Sequence, residues 1–138
     1  DGVIFGFNGI MQIPGALNRQ IAFCEVYRVL QPGHFFVFTT HDRDHWKLKG
    51  YWKKEALRWQ KGEQQSELLD FGDMYTDTGM GWLYIHVPTV KEVINLLKGA
   101  GFLVEHNVMR SKLANEPSKV REFADDCRFW IAMKPTRR

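Results

Sequence analysis

Gln31-Pro32-Gly33-His34-Phe35-Phe36-Val37-Phe38-Thr39-Thr40 joins a helix stop to a strand. Pro32 has no N–H and disfavours helix at the residue before it, so a helix entering this stretch ends here. Phe35 to Thr40 is aromatic and β-branched, the composition of a buried strand. Upstream, Leu17, Ile21 and Cys24 fall at i, i+4, i+7. Phe23, Val26, Tyr27 and Leu30 fall at i, i+3, i+4, i+7. The two sets share a wide apolar face and predict a helix from about Ala16 to Leu30. Before it, Val3 to Phe7 is apolar apart from Gly6, which predicts a strand buried on both faces, broken by Asn8-Gly9. Strand, helix and strand with short connections imply a crossover between parallel strands. The first part of the chain is therefore read as a βαβ unit of an open α/β sheet.

Downstream, His41 to Leu69 is charged, rich in Trp and Lys, and without a clean period. It is read as an insertion over the sheet edge, with a short helix near Glu55 to Gln60. Leu69–Tyr75 and Trp82–Val87 look extended, and Thr76-Asp77-Thr78-Gly79 supplies the turn of a hairpin. Thr89 followed by Glu92 makes a capping box, and Val90, Val93, Ile94 and Leu97 give the helical period after it. Gly99 and Gly101 stop that helix. Phe102 to Val108 is a third core strand, Arg110 to Asp126 a loop with a short helix, and Phe129 to Met133 the last strand before Pro135.

The chain has 138 residues, 44% hydrophobic and 25% charged, the size and composition of one globular domain. A net charge of +3 is too small to argue for nucleic acid. Cys24 and Cys127 are too few for a disulfide framework and are read as reduced thiols of a cytoplasmic protein. No apolar run approaches a bilayer span, and no signal peptide is evident. The chain opens directly on a strand-like Asp1-Gly2-Val3-Ile4-Phe5, so further sequence is expected before Asp1.

In an open α/β sheet, ligands bind at the carboxyl ends of the parallel strands. Those ends are Gly6-Phe7-Asn8-Gly9 and Thr39-Thr40-His41. Gly9 would let backbone approach a ligand, and Asn8 offers donors and acceptors; equally, Asn8-Gly9 is a tight turn. His41 and His45 are four apart, as metal ligands on a helix are. No third ligand stands at a diagnostic spacing, so no metal site is expected and an exposed loop is favoured. Trp46, Tyr51, Trp52 and Trp59, interleaved with Lys47, Lys49, Lys53, Lys54 and Arg58, could clamp a polyanion. An amphipathic lid packed on the sheet is favoured. His86, just before Val87-Pro88, either faces the site from the hairpin or bonds locally to backbone. The chain has no Walker loop, no G-x-S-x-G elbow, no H-E-x-x-H and no G-x-G-x-x-G.

Four segments in order resemble class I S-adenosylmethionine-dependent methyltransferases. Asp1-Gly2-Val3-Ile4 is similar to their D-x-V fourth strand, and Arg28-Val29-Leu30-Gln31-Pro32-Gly33 resembles their R-V-L-K-P-G-G turn. His86-Val87-Pro88-Thr89 through Ala100-Gly101-Phe102 resembles the helix before their sixth strand. Trp130-Ile131-Ala132-Met133-Lys134-Pro135 looks like their last strand. Gln31 and His34 depart from the signature at surface-turn positions. The family's cofactor loop, G-x-G-x-G, and the acidic residue after its second strand are not present.

The resemblance therefore implies the C-terminal half of a methyltransferase domain over residues 1–138. It would be a partial Rossmann-like sheet in the order 4-5-7-6 with the last strand antiparallel, carrying a hairpin and lid insertion at about 42–87. It implies S-adenosyl-L-methionine as cofactor and in-line displacement at its sulfonium methyl. Phe7, Asn8, Gly9 and Met11 would flank the methionine end. Thr40, His41, Tyr84 and His86 would shape the acceptor pocket, with His41 as general base unless the acceptor is already a good nucleophile. A small-molecule acceptor is favoured over RNA, and no membrane partner is expected. The Val3–Phe7 edge invites pairing with another chain or with the rest of a longer one. The alternative is a non-catalytic binding or interaction module. A nicotinamide dehydrogenase would have neither the antiparallel last strand nor the R-V-L-x-P-G turn.

Overall fold

The computed structural model describes residues 1–136. Its main sheet contains β1 (Val3–Phe5), β2 (Phe35–Thr40), β5 (Leu103–Met109) and β6 (Arg128–Met133), in the spatial order β1-β2-β6-β5. β1 and β2 run parallel, with Ile4 opposite Val37. β6 runs antiparallel to both β2 and β5. Helix α1 (Ala16–Val29) makes the crossover between the parallel pair, after a 3-10 turn at Gly9–Gln12. A second, two-stranded sheet joins β3 (Asp73–Asp77) to β4 (Trp82–His86).

α1 and α3 (Val90–Ala100) pack against each other and cover one face of the main sheet. That face carries Phe36 and Phe38 of β2 and Trp130 and Ala132 of β6, all buried. Phe23 of α1 stands edge-on to Phe36 at 5.7 Å and to Phe38 at 5.3 Å. Each such side chain contributes about 1.5–3 kcal/mol by leaving water. The α3 capping box forms: Thr89 Oγ1 accepts from Glu92 N–H at 3.2 Å, and the Glu92 carboxylate accepts from Thr89 N–H.

The opposite face is bare among the described residues. Ile4 is 80% exposed, Phe35 45% and Leu103 50%, and Val37, Phe129, Ile131 and Met133 are half-buried between them. This corrects the expectation that the first two strands are buried on both faces. β2 alternates buried and exposed positions because helices cover one side only. β1 is also shorter than Val3–Phe7, since Phe7 and Asn8 turn into the left-handed region at φ 55° and 53° and end the strand.

The insertion is more helical than its sequence suggests. α2 (Lys49–Lys61) extends well beyond Glu55–Gln60 and buries Trp52 and Glu55. The hairpin begins at Asp73 rather than Leu69, because residues 69–72 make a tight turn whose Leu69 and Asp70 N–H groups donate to the Asp73 carboxylate. After β5, α4 (Arg110–Leu113) and α5 (Ser118–Phe123) fill the excursion before β6. No helix among the described residues is long and apolar enough to cross a membrane.

Candidate functional site

The carboxyl ends of β1 and β2 lie side by side, and the residues after them carry the polar groups. Phe7 is fully exposed and Asn8 half-buried, both in left-handed conformations that cost a side-chain-bearing residue about 1 kcal/mol or more. The Thr39 hydroxyl donates to the Asn8 side-chain oxygen, which pins the turn and leaves the Asn8 amide N–H groups without a partner among the described residues. Gly9 serves the fold: a Cβ there would meet the Phe5 ring at 2.8 Å. Met11 is buried, and its sulfur accepts from His41 N–H at 3.1 Å. Of the four residues expected near the cofactor, Phe7 and Asn8 present open surface, while Gly9 and Met11 set the path of the loop.

His41, directly after β2, stands at a cavity of about 180 Å³. Met74 and Ile85 from the hairpin, with Val87 and Leu48, make its apolar wall. His41, His45, Asp125 and Asp126 make its polar rim. Burial holds the His41 imidazole below its ordinary value, so the ring is neutral near pH 7; the Asp125 carboxylate pulls the other way and His45 adds to the lowering. Asp42 belongs to the frame, since one of its oxygens accepts from Arg128 at 2.9 Å and the other from Asp44 N–H. Asp126 is held by the Ser111 N–H at 3.0 Å and the Ser111 hydroxyl at 2.7 Å.

The other residues expected around the acceptor lie elsewhere. Thr40 is buried, its hydroxyl accepting from Trp130 Nε1 at 2.9 Å. His86 is buried and donates from Nδ1 to Asp73 Oδ1 at 2.7 Å, because a carboxylate can only accept. Its Nε2 lies 3.9 Å from Glu92 of α3. Burial, then the Arg19 charge, hold the His86 ring below its ordinary value against the pull of Asp73 and Glu92. Burial pushes the Asp73 carboxyl up, but its hydrogen bonds from the Asp70 N–H, His86 and the Leu69 N–H more than offset this and hold it low. The Tyr84 hydroxyl sits beside the same carboxylate, and burial and Asp73 push the phenol up to about 12.

These side chains form a clamp. Buried Arg43 donates to Phe71 C=O and to Glu92, both at 2.5 Å, and lies 5.0 Å from the Phe71 ring centroid. Arg19 of α1 donates to Asp70 at 2.8 Å. The clamp fastens the hairpin and the preceding turn to α1 and α3. Potential ligand atoms of Asp70, Asp73 and His86 lie within 4.8 Å of one another. Arg19 holds Asp70, and three protein N–H donors already bond the Asp73 oxygens, so the cluster is a closed hydrogen-bond network rather than a cation site.

Of the residues expected around the acceptor, the structure brings only His41 to the cavity. Asp125, Asp126, Met74, Ile85 and Val87 were not anticipated there. A signal existed for the aspartates. A last strand antiparallel to β2 must start where β2 ends, which brings the residues before Arg128 to the His41 end of the sheet.

Solved structures share this architecture. A SAM-dependent methyltransferase from Methanosarcina mazei superposes with a TM-score of 0.70 at 21% identity, over 99% of this chain and 60% of that one. The CcbJ methyltransferase from Streptomyces caelestis gives 0.60 at 12% identity, over 98% of this chain and 57% of that one. A S-adenosylmethionine-dependent methyltransferase from Clostridium acetobutylicum gives 0.60 at 12%, over 99% and 58%. The chain thus has the Rossmann-like fold of SAM-dependent methyltransferases, and spans 57 to 60% of the length of these three structures. No family model and no curated protein matches it.

Proposed function

We propose that this chain is the C-terminal half of an S-adenosyl-L-methionine-dependent methyltransferase, active as part of a longer polypeptide on a small-molecule acceptor. The observation that carries the reading is the strand order β1-β2-β6-β5 with β6 antiparallel, together with a cavity at the carboxyl end of β2. Phe7 and Asn8 fit one end of the cofactor: Phe7 offers an apolar face, and the Asn8 amide can donate to a carboxylate. When bound, the cofactor supplies an activated methyl on a sulfonium. The residues of this chain orient the acceptor, exclude water with the hairpin wall and, through neutral His41, take a proton from it.

Calorimetry with S-adenosyl-L-methionine tests the reading. No heat is expected from residues 1–138 alone, and binding is expected from a natural polypeptide that continues upstream of Asp1. Asn8→Ala in that polypeptide should weaken binding about tenfold, the value of one charge-assisted hydrogen bond. Absence of binding by the longer polypeptide would leave a non-catalytic module. In the same protein, His41→Ala should lower turnover about a hundredfold at saturating acceptor, as loss of a general base does. Unchanged kinetics would remove His41 from the chemistry. The open edge of β1 pairs, in this reading, with the upstream half or with a second chain.

A further inference from the structure

We propose that the cavity between His41 and the hairpin binds small amines, a ring or short alkyl chain carrying one protonated nitrogen. The inference rests on the methyltransferase reading for the role of acceptor, but the binding chemistry stands on the cavity itself.

Size comes first. About 180 Å³ is close to the volume that holds a single benzene ring. Shape comes next. Met74, Ile85 and Val87 give an apolar wall on the hairpin side, suited to a ring or a short alkyl chain.

Charge decides the head group. Asp125 and Asp126 stand on the rim with His45, and Lys47 is the one lysine or arginine lining it among the described residues. The Lys47 ammonium lies over the Trp46 ring at 5.6 Å and forms no ion pair with either aspartate. Asp126 is already held by Ser111, which leaves the Asp125 carboxylate for a ligand; it accepts no hydrogen bond from the described residues. The His41 ring is likewise without a hydrogen-bond partner among the described residues, and its neutral form offers a lone pair. A free carboxylate and an imidazole acceptor, both lining a cavity with an apolar wall, suit an ammonium group and oppose a carboxylate or phosphate. Arg128 does not change the balance, because Asp42 and Asn107 hold its guanidinium.

The test compares three ring compounds of one size, benzylamine, benzyl alcohol and benzoate, by calorimetry and by the NMR signals of the histidine rings, with no methyl donor present. Benzylamine should shift the His41 resonances and bind about threefold tighter than the alcohol, the value of one partly exposed ion pair. Benzoate should bind weakest. Asp125→Asn, an exposed position, should bring the amine and the alcohol to equal affinity. Benzoate binding as well as benzylamine, or no shift at His41 with the amine, would overturn the proposal. The outcomes separate cleanly from the cofactor experiment: amine binding without donor binding by the longer polypeptide removes the methyltransferase reading and leaves the site. Donor binding with no amine preference does the reverse.

Discussion

Gly72 shows how tightly the hairpin is fastened. Its φ is 117°, and a Cβ there would lie 2.1 Å from the Arg43 guanidinium and 3.0 Å from Val87 C=O. Gly72→Ala should therefore cost about 3 kcal/mol or more, measured by chemical denaturation, because backbone strain and a displaced buried cation act together. The His86–Asp73 pair gives a pH signature. The folded state holds His86 below its ordinary value of 6.5, so the unfolded chain binds more protons below that pH. Stability should be level above about pH 7 and fall as the pH drops through about 6.5 and below. His41, also lowered, adds in the same direction. Asp73, held low, contributes stability above its unfolded value that is lost only in stronger acid. Urea midpoints across pH should show the slope, and His86→Asn should remove most of it.

At the scale of elements, the turn after β1 trades stability for position. Phe7 makes no use of its side chain in the fold, being fully exposed, yet holds a φ that favours glycine. Phe7→Gly should raise stability by about 1 kcal/mol and weaken cofactor binding in the longer polypeptide. A variant no more stable than the parent would mean that the turn is unstrained. This turn also marks where sequence reading failed. Val3 to Phe7 reads as one apolar run, and nothing in Gly6-Phe7-Asn8 announces that the chain reverses at an aromatic residue. The α3 helix was legible to its cap, because Thr89 and Glu92 act locally. α2 was not, because its apolar contacts, such as Trp52 against Phe71 at 5.8 Å, are distant in sequence and leave no clean period. Thr40 and His86 lie away from the cavity, and for a related reason this was not legible. A polar residue at a strand end can face the ligand or the core, and only their partners, Trp130 and Asp73, show which.

For the whole molecule, strand order and direction were legible because they follow from connection lengths and an ordered set of motifs. Burial was not, since it depends on what covers the second face. That face, with Ile4, Val37 and Ile131 in one row across three strands, is an apolar surface left uncovered by the described residues. In isolation the chain should self-associate with rising concentration, and Ile4→Lys with Val37→Lys should reduce this in sedimentation equilibrium. A strictly monomeric parent chain would contradict the expectation.

The direction of β6 has one more outcome. Because the last strand comes back against β2, the long excursion after β2 and the shorter one before β6 emerge at the same end of the sheet and meet across the cavity. Among the described residues, no strand of the main sheet contributes to its lining. Ligand preference can then drift by exchanging surface detours while the aromatic packing of the sheet beneath stays unaltered, so relatives of this chain can keep the scaffold and differ widely in what they take up.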